Sequence, residues 1–167
     1  MITPEIKYTS DNTMKYILQK LPEYQDYWEK CLLYWGGDKT TIHTHITDFL
    51  DFTEGIIESK NYNLLSKIFK IIENLVLYGD EDVNNAVSLC FLESLINSSG
   101  NRPNELPYES YISLLGPESR KVCKDLDEFW GAKTPGLWKE GDVFTPEKWI
   151  DTSEKLPEIP KSWKKSC

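Results

Sequence analysis

Along most of residues 1–131, apolar side chains return every three or four positions, the spacing that gathers them on one side of an α-helix. Ser10 or Asp11 is placed to cap a first short helix running to Lys20, and Pro22, at a first-turn position, opens a second that ends before Gly36 and Gly37. In TIHTHITDFLDFTEGIIES, Ile42, Ile46, Phe49, Leu50, Thr53, Ile56 and Ile57 predict a third, amphipathic helix. Asn61 caps a fourth, LLSKIFKIIENLVLY, whose apolar residues take up more than half its circumference, so this helix should be covered on two sides. Gly79 should close it from a C′ position.

The carboxylates of Asp80, Glu81 and Asp82 suit the partial positive charge at the start of a fifth helix, which carries Val83, Ala86, Val87, Cys90, Phe91 and Leu95 on one wide face. The turn-rich stretch SSGNRPNELP ends it. A short helix is expected over Tyr108 to Leu115, and Gly116-Pro117 starts another that should stop near Trp130-Gly131. Beyond Gly131 the period is lost. Prolines at 135, 146, 157 and 160 and the rings of Trp138, Phe144, Trp149 and Trp163 mark an irregular tail, with one helical turn expected after Pro146. So many aromatic rings do not suit a disordered linker, and most should pack on the helices. The expectation is therefore an all-α protein: a helical domain over 1–131, built as a bundle or a short HEAT-like stack of antiparallel helices, with a tail over 132–167 packed on it.

Length and charge narrow this picture. A chain of 167 residues, 40% of them hydrophobic, is large enough for one core. No apolar run approaches the roughly 20 residues that span a bilayer, and MITPEIKYTSDN lacks the features of a signal peptide. Four cysteines without CxxC spacing give neither a zinc site nor a disulfide framework; a cytoplasmic location is expected, with Cys31 and Cys90 as small core residues. The net charge of −8 is uneven: residues 1–131 hold 12 basic and 21 acidic side chains, and residues 132–167 hold seven and six. Such a body repels phosphate backbones and attracts cationic proteins, so the expected partner is a basic protein and not a nucleic acid.

Candidate chemistry is sparse. His43 and His45 lie two apart on a helix, about 200° around its axis, and cannot share a metal there. The phosphate-binding, nucleophile and zincin motifs are missing, so no cofactor, metal or catalytic residue is assigned and the protein is not expected to be an enzyme. Asp48, Asp51, Glu54 and Glu58 fall within about 120° of one another on the third helix, opposite the Ile46, Phe49 and Thr53 stripe. They should form an acidic ridge facing solvent. With no interleaved lysine, the ridge forgoes the usual i to i+4 ion pairs, and binding a basic surface is a reason for a chain to accept that.

The segments HITDFLDFTEGIIES, IFKIIENLVLYGDEDVNNAVSLCFLESLIN and LLGPESRKVCKDLDEFWG resemble a family of small helical bacterial proteins. Some of those are encoded as immunity partners of secreted toxins, in toxin–antitoxin pairs and especially in contact-dependent growth inhibition. The likeness spans residues 41–131 and implies, by analogy, an immunity protein that neutralises a cognate basic toxin, such as a nuclease, by stoichiometric binding. The partner-binding residues expected on this view are Asp48, Asp51, Glu54 and Glu58 of the ridge, with Trp130, Trp138 and Trp149 as aromatic anchors. The alternatives are a helical adaptor that holds a host protein, and a hydrolase assembled from the carboxylates at 80–82 and 125–128.

Overall fold

Among the residues that the computed structural model describes, 4–36 and 40–144, the chain is an all-α bundle. The helices are α1 (Thr13–Lys20), α2 (Gln25–Tyr34), α3 (Ile42–Glu58), α4 (Tyr62–Tyr78), α5 (Glu81–Ala86), α6 (Ser94–Asn101) and α7 (Pro117–Trp130). Local chemistry sets several boundaries as expected. Asn61 Oδ1 accepts from Leu64 N at 3.2 Å and Asp80 Oδ1 from Val83 N at 3.0 Å, so each side chain satisfies an otherwise orphaned donor. Gly131 adopts the left-handed conformation at φ 64°, and Ala132 N bonds back to Asp127 O at 2.9 Å, which closes α7.

Two local expectations are corrected. Neither Ser10 nor Asp11 caps α1: Asn12 precedes it and spends its side chain on Thr9 N and Lys7 O, tying down the incoming segment. Gly79 is not left-handed. At φ −74° and ψ 150° it is extended, and its role is space, since a Cβ there would run into Leu75 O and lie 2.7 Å from Val83 Cγ1. The close approach lets the α4–α5 corner receive the N-terminal segment, with Tyr8 N bonded to Tyr78 O at 3.1 Å and Asp80 N to Tyr8 O at 2.8 Å.

The fifth predicted helix is longer and less regular than its pattern implies. From α5 the chain passes without a break through a π-helical stretch (Val87–Glu93) into α6. The wider turn is visible where Ser94 N and Ser94 Oγ both reach back to Leu89 O, the hydroxyl at 2.9 Å. This run is the middle of the molecule, packed by α3, α4 and α7. Phe91 lies at its centre, with its ring 5.8 Å from that of Phe49 on α3 and 6.0 Å from that of Phe69 on α4. Phe69 in turn stacks on Tyr111 at 5.8 Å, whose hydroxyl meets Ser99 Oγ at 2.7 Å inside the core. The segment expected as one short helix before α7 is instead two 3₁₀ turns, Tyr108–Ser110 and Ile112–Leu114.

A carboxylate from another helix docks α7. Glu73 on α4 accepts from Glu118 N at 2.7 Å, Ser119 N at 2.9 Å and Ser119 Oγ at 2.7 Å. Gly116 lies so close to Glu73 that a Cβ would collide with its carboxyl group, so the glycine admits the cap. The described part of the tail, residues 132–144, folds back on α7. Leu137 is fully buried, Arg120 Nη1 donates to Leu137 O at 2.7 Å, and Arg120 Nη2 donates to Ile112 O at 2.9 Å.

Leu75 and Phe91 are both fully buried. Truncating Leu75 to Ala should cost about 2–5 kcal/mol, and Phe91 to Ala about 3–5 kcal/mol. Urea unfolding checks this, and a loss below about 0.5 kcal/mol at either site would contradict the packing.

Candidate partner-binding surfaces

The acidic residues of α3 do not make the continuous solvent-facing ridge that their spacing predicts. Asp48 is only 7% exposed and turns toward α2, where Trp35 Nε1 donates to its Oδ2 at 3.2 Å. Glu54 and Glu58 share a cation from outside their own helix. Arg102 Nη2 lies 2.7 Å from Glu54 Oε2, and Arg102 Nη1 lies 3.7 Å from Glu58 Oε1 and 3.2 Å from Glu105 Oε2. Asp51 remains as the exposed acid of the four without a described ion pair. The missing lysine is thus supplied by the chain itself, from 48 residues along the sequence.

The seam between α2 and α3 is chemically distinctive. Burial raises the Asp48 carboxyl above its ordinary range, opposed by the Trp35 hydrogen bond, by His45 and by the Cys31 thiol. Partial burial raises Asp51 as well, reinforced by the negative charges of Glu54 and Asp48. Cys31 is not the core cysteine expected: it is half-buried against Asp48, and desolvation together with that carboxylate pushes its thiol up to about 11. Cys123, by contrast, is fully buried, with its thiol raised to about 12 by burial. His45 meets Thr40 Oγ1 at 2.8 Å and packs beside Trp28, and burial lowers its basicity. Among the described residues no group of three or more His, Cys, Asp or Glu is arranged to hold a metal.

At the end of α2, Leu33 is 83% exposed, Tyr34 80% and Trp35 50%. Tyr34 and Trp35 meet edge to face at 5.0 Å, and Trp35 is anchored by Asp48. No residue of α2 is fully buried, and the seam beneath it leaves the Tyr24 hydroxyl and Trp28 Nε1 buried without a hydrogen-bond partner among the described residues. The C-terminal end of α2 presents a large apolar surface beside Asp48. The α2 platform was not among the residues expected to bind, though the run CLLYW carried the signal. Five consecutive apolar positions sweep about 400° of a helix, so some of them must face outward.

The three tryptophans expected as anchors have separate fates. Trp130, at the end of α7, is 58% exposed and lies edge to face with Phe129 at 5.0 Å. Trp138 is a structural anchor: its Nε1 donates to Asp127 Oδ2 at 2.7 Å, and Asp127 also accepts from Thr134 N at 2.6 Å and Thr134 Oγ1 at 2.7 Å. Lys124 Nζ lies 5.5 Å from the centre of its ring. Trp149 lies outside the described residues, as do Pro146 with its expected helical turn and Trp163. The carboxylates at 80–82 serve as the cap and first turn of α5, and Asp127 accepts hydrogen bonds from the tail.

A family model described as Domain of unknown function (DUF7674) matches residues 14–131, and the chain belongs to that family. No curated protein and no solved structure matches the chain. Among the described residues no helix is long and apolar enough to cross a membrane.

Asp48 gives a test of the seam. An acid whose folded pKa is raised binds its proton more tightly in the native than in the unfolded state, so its contribution to stability falls as pH rises through a window beginning at its ordinary value of 3.8. Asp48→Asn keeps an acceptor for Trp35 and removes that loss. Its melting temperature should exceed that of the parent at pH 7, with the gain disappearing toward pH 3. Calorimetry across pH checks this, and a gain that does not depend on pH would refute the assignment.

Proposed function

We propose that this member of the family works by holding a protein partner, and that the partner is a basic toxin domain which it neutralises stoichiometrically in the cytoplasm as an immunity protein. The observation that carries this reading is the α2 platform, where Leu33, Tyr34 and Trp35 stand exposed beside the acids of α3. Aromatic anchors flanked by carboxylates suit a cationic protein surface. The rings supply desolvated contact area, and the carboxylates speed encounter and reject acidic partners. The acidic balance of residues 1–131 acts in the same direction and disfavours direct contact with nucleic acid. The resemblance of residues 41–131 to small helical bacterial proteins, some of which are immunity partners of toxins, favours a toxin as the occupant by analogy. On this reading the chain needs no catalytic residue.

Neutralising a toxin that acts at a few copies per cell requires a dissociation constant near nanomolar, about −12 kcal/mol, which charge alone does not provide. The reading requires a toxic domain encoded beside this chain, with which coexpression should restore growth and copurification at a fixed ratio should follow. Trp35→Ala together with Tyr34→Ala should weaken the complex by about 2 kcal/mol or more. Growth that is not rescued, or the lack of any complex, would overturn the proposal.

The electrostatic part is tested on Asp51, the exposed acid of α3; reversing Glu54 would set a lysine against Arg102 and disturb the fold. Asp51→Lys should slow association and flatten its salt dependence without lowering the melting temperature at pH 7, because the native state already disfavours the Asp51 charge. Stopped-flow rates across a salt series decide this, and unchanged rates would return Asp51 to an ordinary solvated position.

A further inference from the structure

The carboxylate of Glu93 has no hydrogen-bond or ion-pair partner among the described residues. It lies at the last position of the π-helical stretch, on the wall of a cavity of about 510 Å³ between α6 and α7. Half-buried in this way, it is held above the ordinary carboxylate range by desolvation alone. Its neighbours in sequence Cys90, Phe91, Leu92 and Leu95 are all buried, so the acid sits at the edge of the core. A lone buried-side carboxylate costs stability unless something neutralises it, and π-helical turns recur at functional sites because they displace side chains from the regular helical positions.

The rest of the cavity complements that charge. Asn97 and Asn101 follow Glu93 at four-residue steps along one face of α6, Tyr108 closes one side, and the half-exposed ring of Trp130 forms the rim. The cavity's own cation, Lys133, directs its Nζ to the ring of Phe144 at 4.9 Å. Resting on the reading that the chain binds a basic protein, we propose that this cavity receives a cationic side chain of the partner, an arginine or lysine, with Glu93 as its counter-ion and Trp130 as the face it stacks on. A guanidinium brings donors in a planar fork that Glu93 and the two asparagine carbonyls accept, while its flat face covers the indole. This second contact lies at the end of α7, on elements other than the α2–α3 platform.

The test uses the full chain and a small probe, N-acetyl-arginine-N-methylamide, with the uncharged citrulline analogue as control. The indole N–H of Trp130 and the side-chain amides of Asn97 and Asn101 are followed by NMR. Saturable shifts at those groups are expected at millimolar probe, absent with the citrulline analogue, and weakened roughly tenfold or more in Glu93→Gln. Trp130→Leu, at an exposed position, should weaken binding with the fold unchanged. No saturable shift, an equal response to citrulline, or undiminished binding in Glu93→Gln would overturn the proposal. Because the probe needs no toxin, the two proposals fail separately. Full rescue and unaltered affinity with Glu93→Gln would remove the cavity and leave the immunity reading; arginine binding without rescue would do the reverse.

Discussion

The burial of one helical run on nearly every side is the constraint that organises this molecule. Residues 81–101 carry Val83, Ala86, Val87, Cys90, Phe91, Leu92 and Leu95 inside, and covering so wide an apolar surface takes α3, α4 and α7 together. Phe91 is the point where they meet, through Phe49 on one side and Phe69 on the other. Apolar contact is non-directional, however, and would let α7 slide. Glu73 removes that freedom by spending both carboxylate oxygens on the first turn of α7, fixing its height and rotation against α4. With α7 fixed, Asp127 and Arg120 have a frame on which to fold residues 132–144.

What the sequence makes legible follows from how local each interaction is. Asn61 and Asp80 act on donors three residues ahead, so their caps are visible as residue type and spacing. The core stripes of α3 and α4 are visible for the same reason: the period of a helix is a local property. The acidic ridge misleads because its neutralising charge, Arg102, arrives from a distant segment. The π-helical stretch escapes because periodicity arguments assume 100° per residue, and Glu93 escapes with it. Trp138 is ambiguous in sequence because an indole N–H serves a buried carboxylate as readily as a partner, and only the position of Asp127 decides.

Arg102 and Glu93 are opposite solutions to one electrostatic problem. Three carboxylates, on Glu54, Glu58 and Glu105, converge on Arg102, which ties them to the fold while leaving the cluster acidic. Glu93 has no such companion among the described residues. The distinction separates acids that shape the fold from acids open to a ligand, a separation that net charge hides. On the proposed reading, partner contact falls where exposed rings meet acids outside that cluster, at Trp35 with Asp48 and at Trp130 with Glu93.

The π-helical stretch also sets how the chain tolerates changes in its own length. Each residue added to or removed from Val87–Glu93 would rotate everything downstream by about 100° relative to α5. Leu95 and Ser99 would leave the interior, and the bond between Ser99 and Tyr111 would be lost. Between Arg102, held by the carboxylates of α3, and the buried Leu106, only the exposed residues 103–105 have no such phase to keep. Within this fold, insertions and deletions should therefore accumulate around residues 103–105 and be excluded from 87–93, where the residue count itself is part of the architecture.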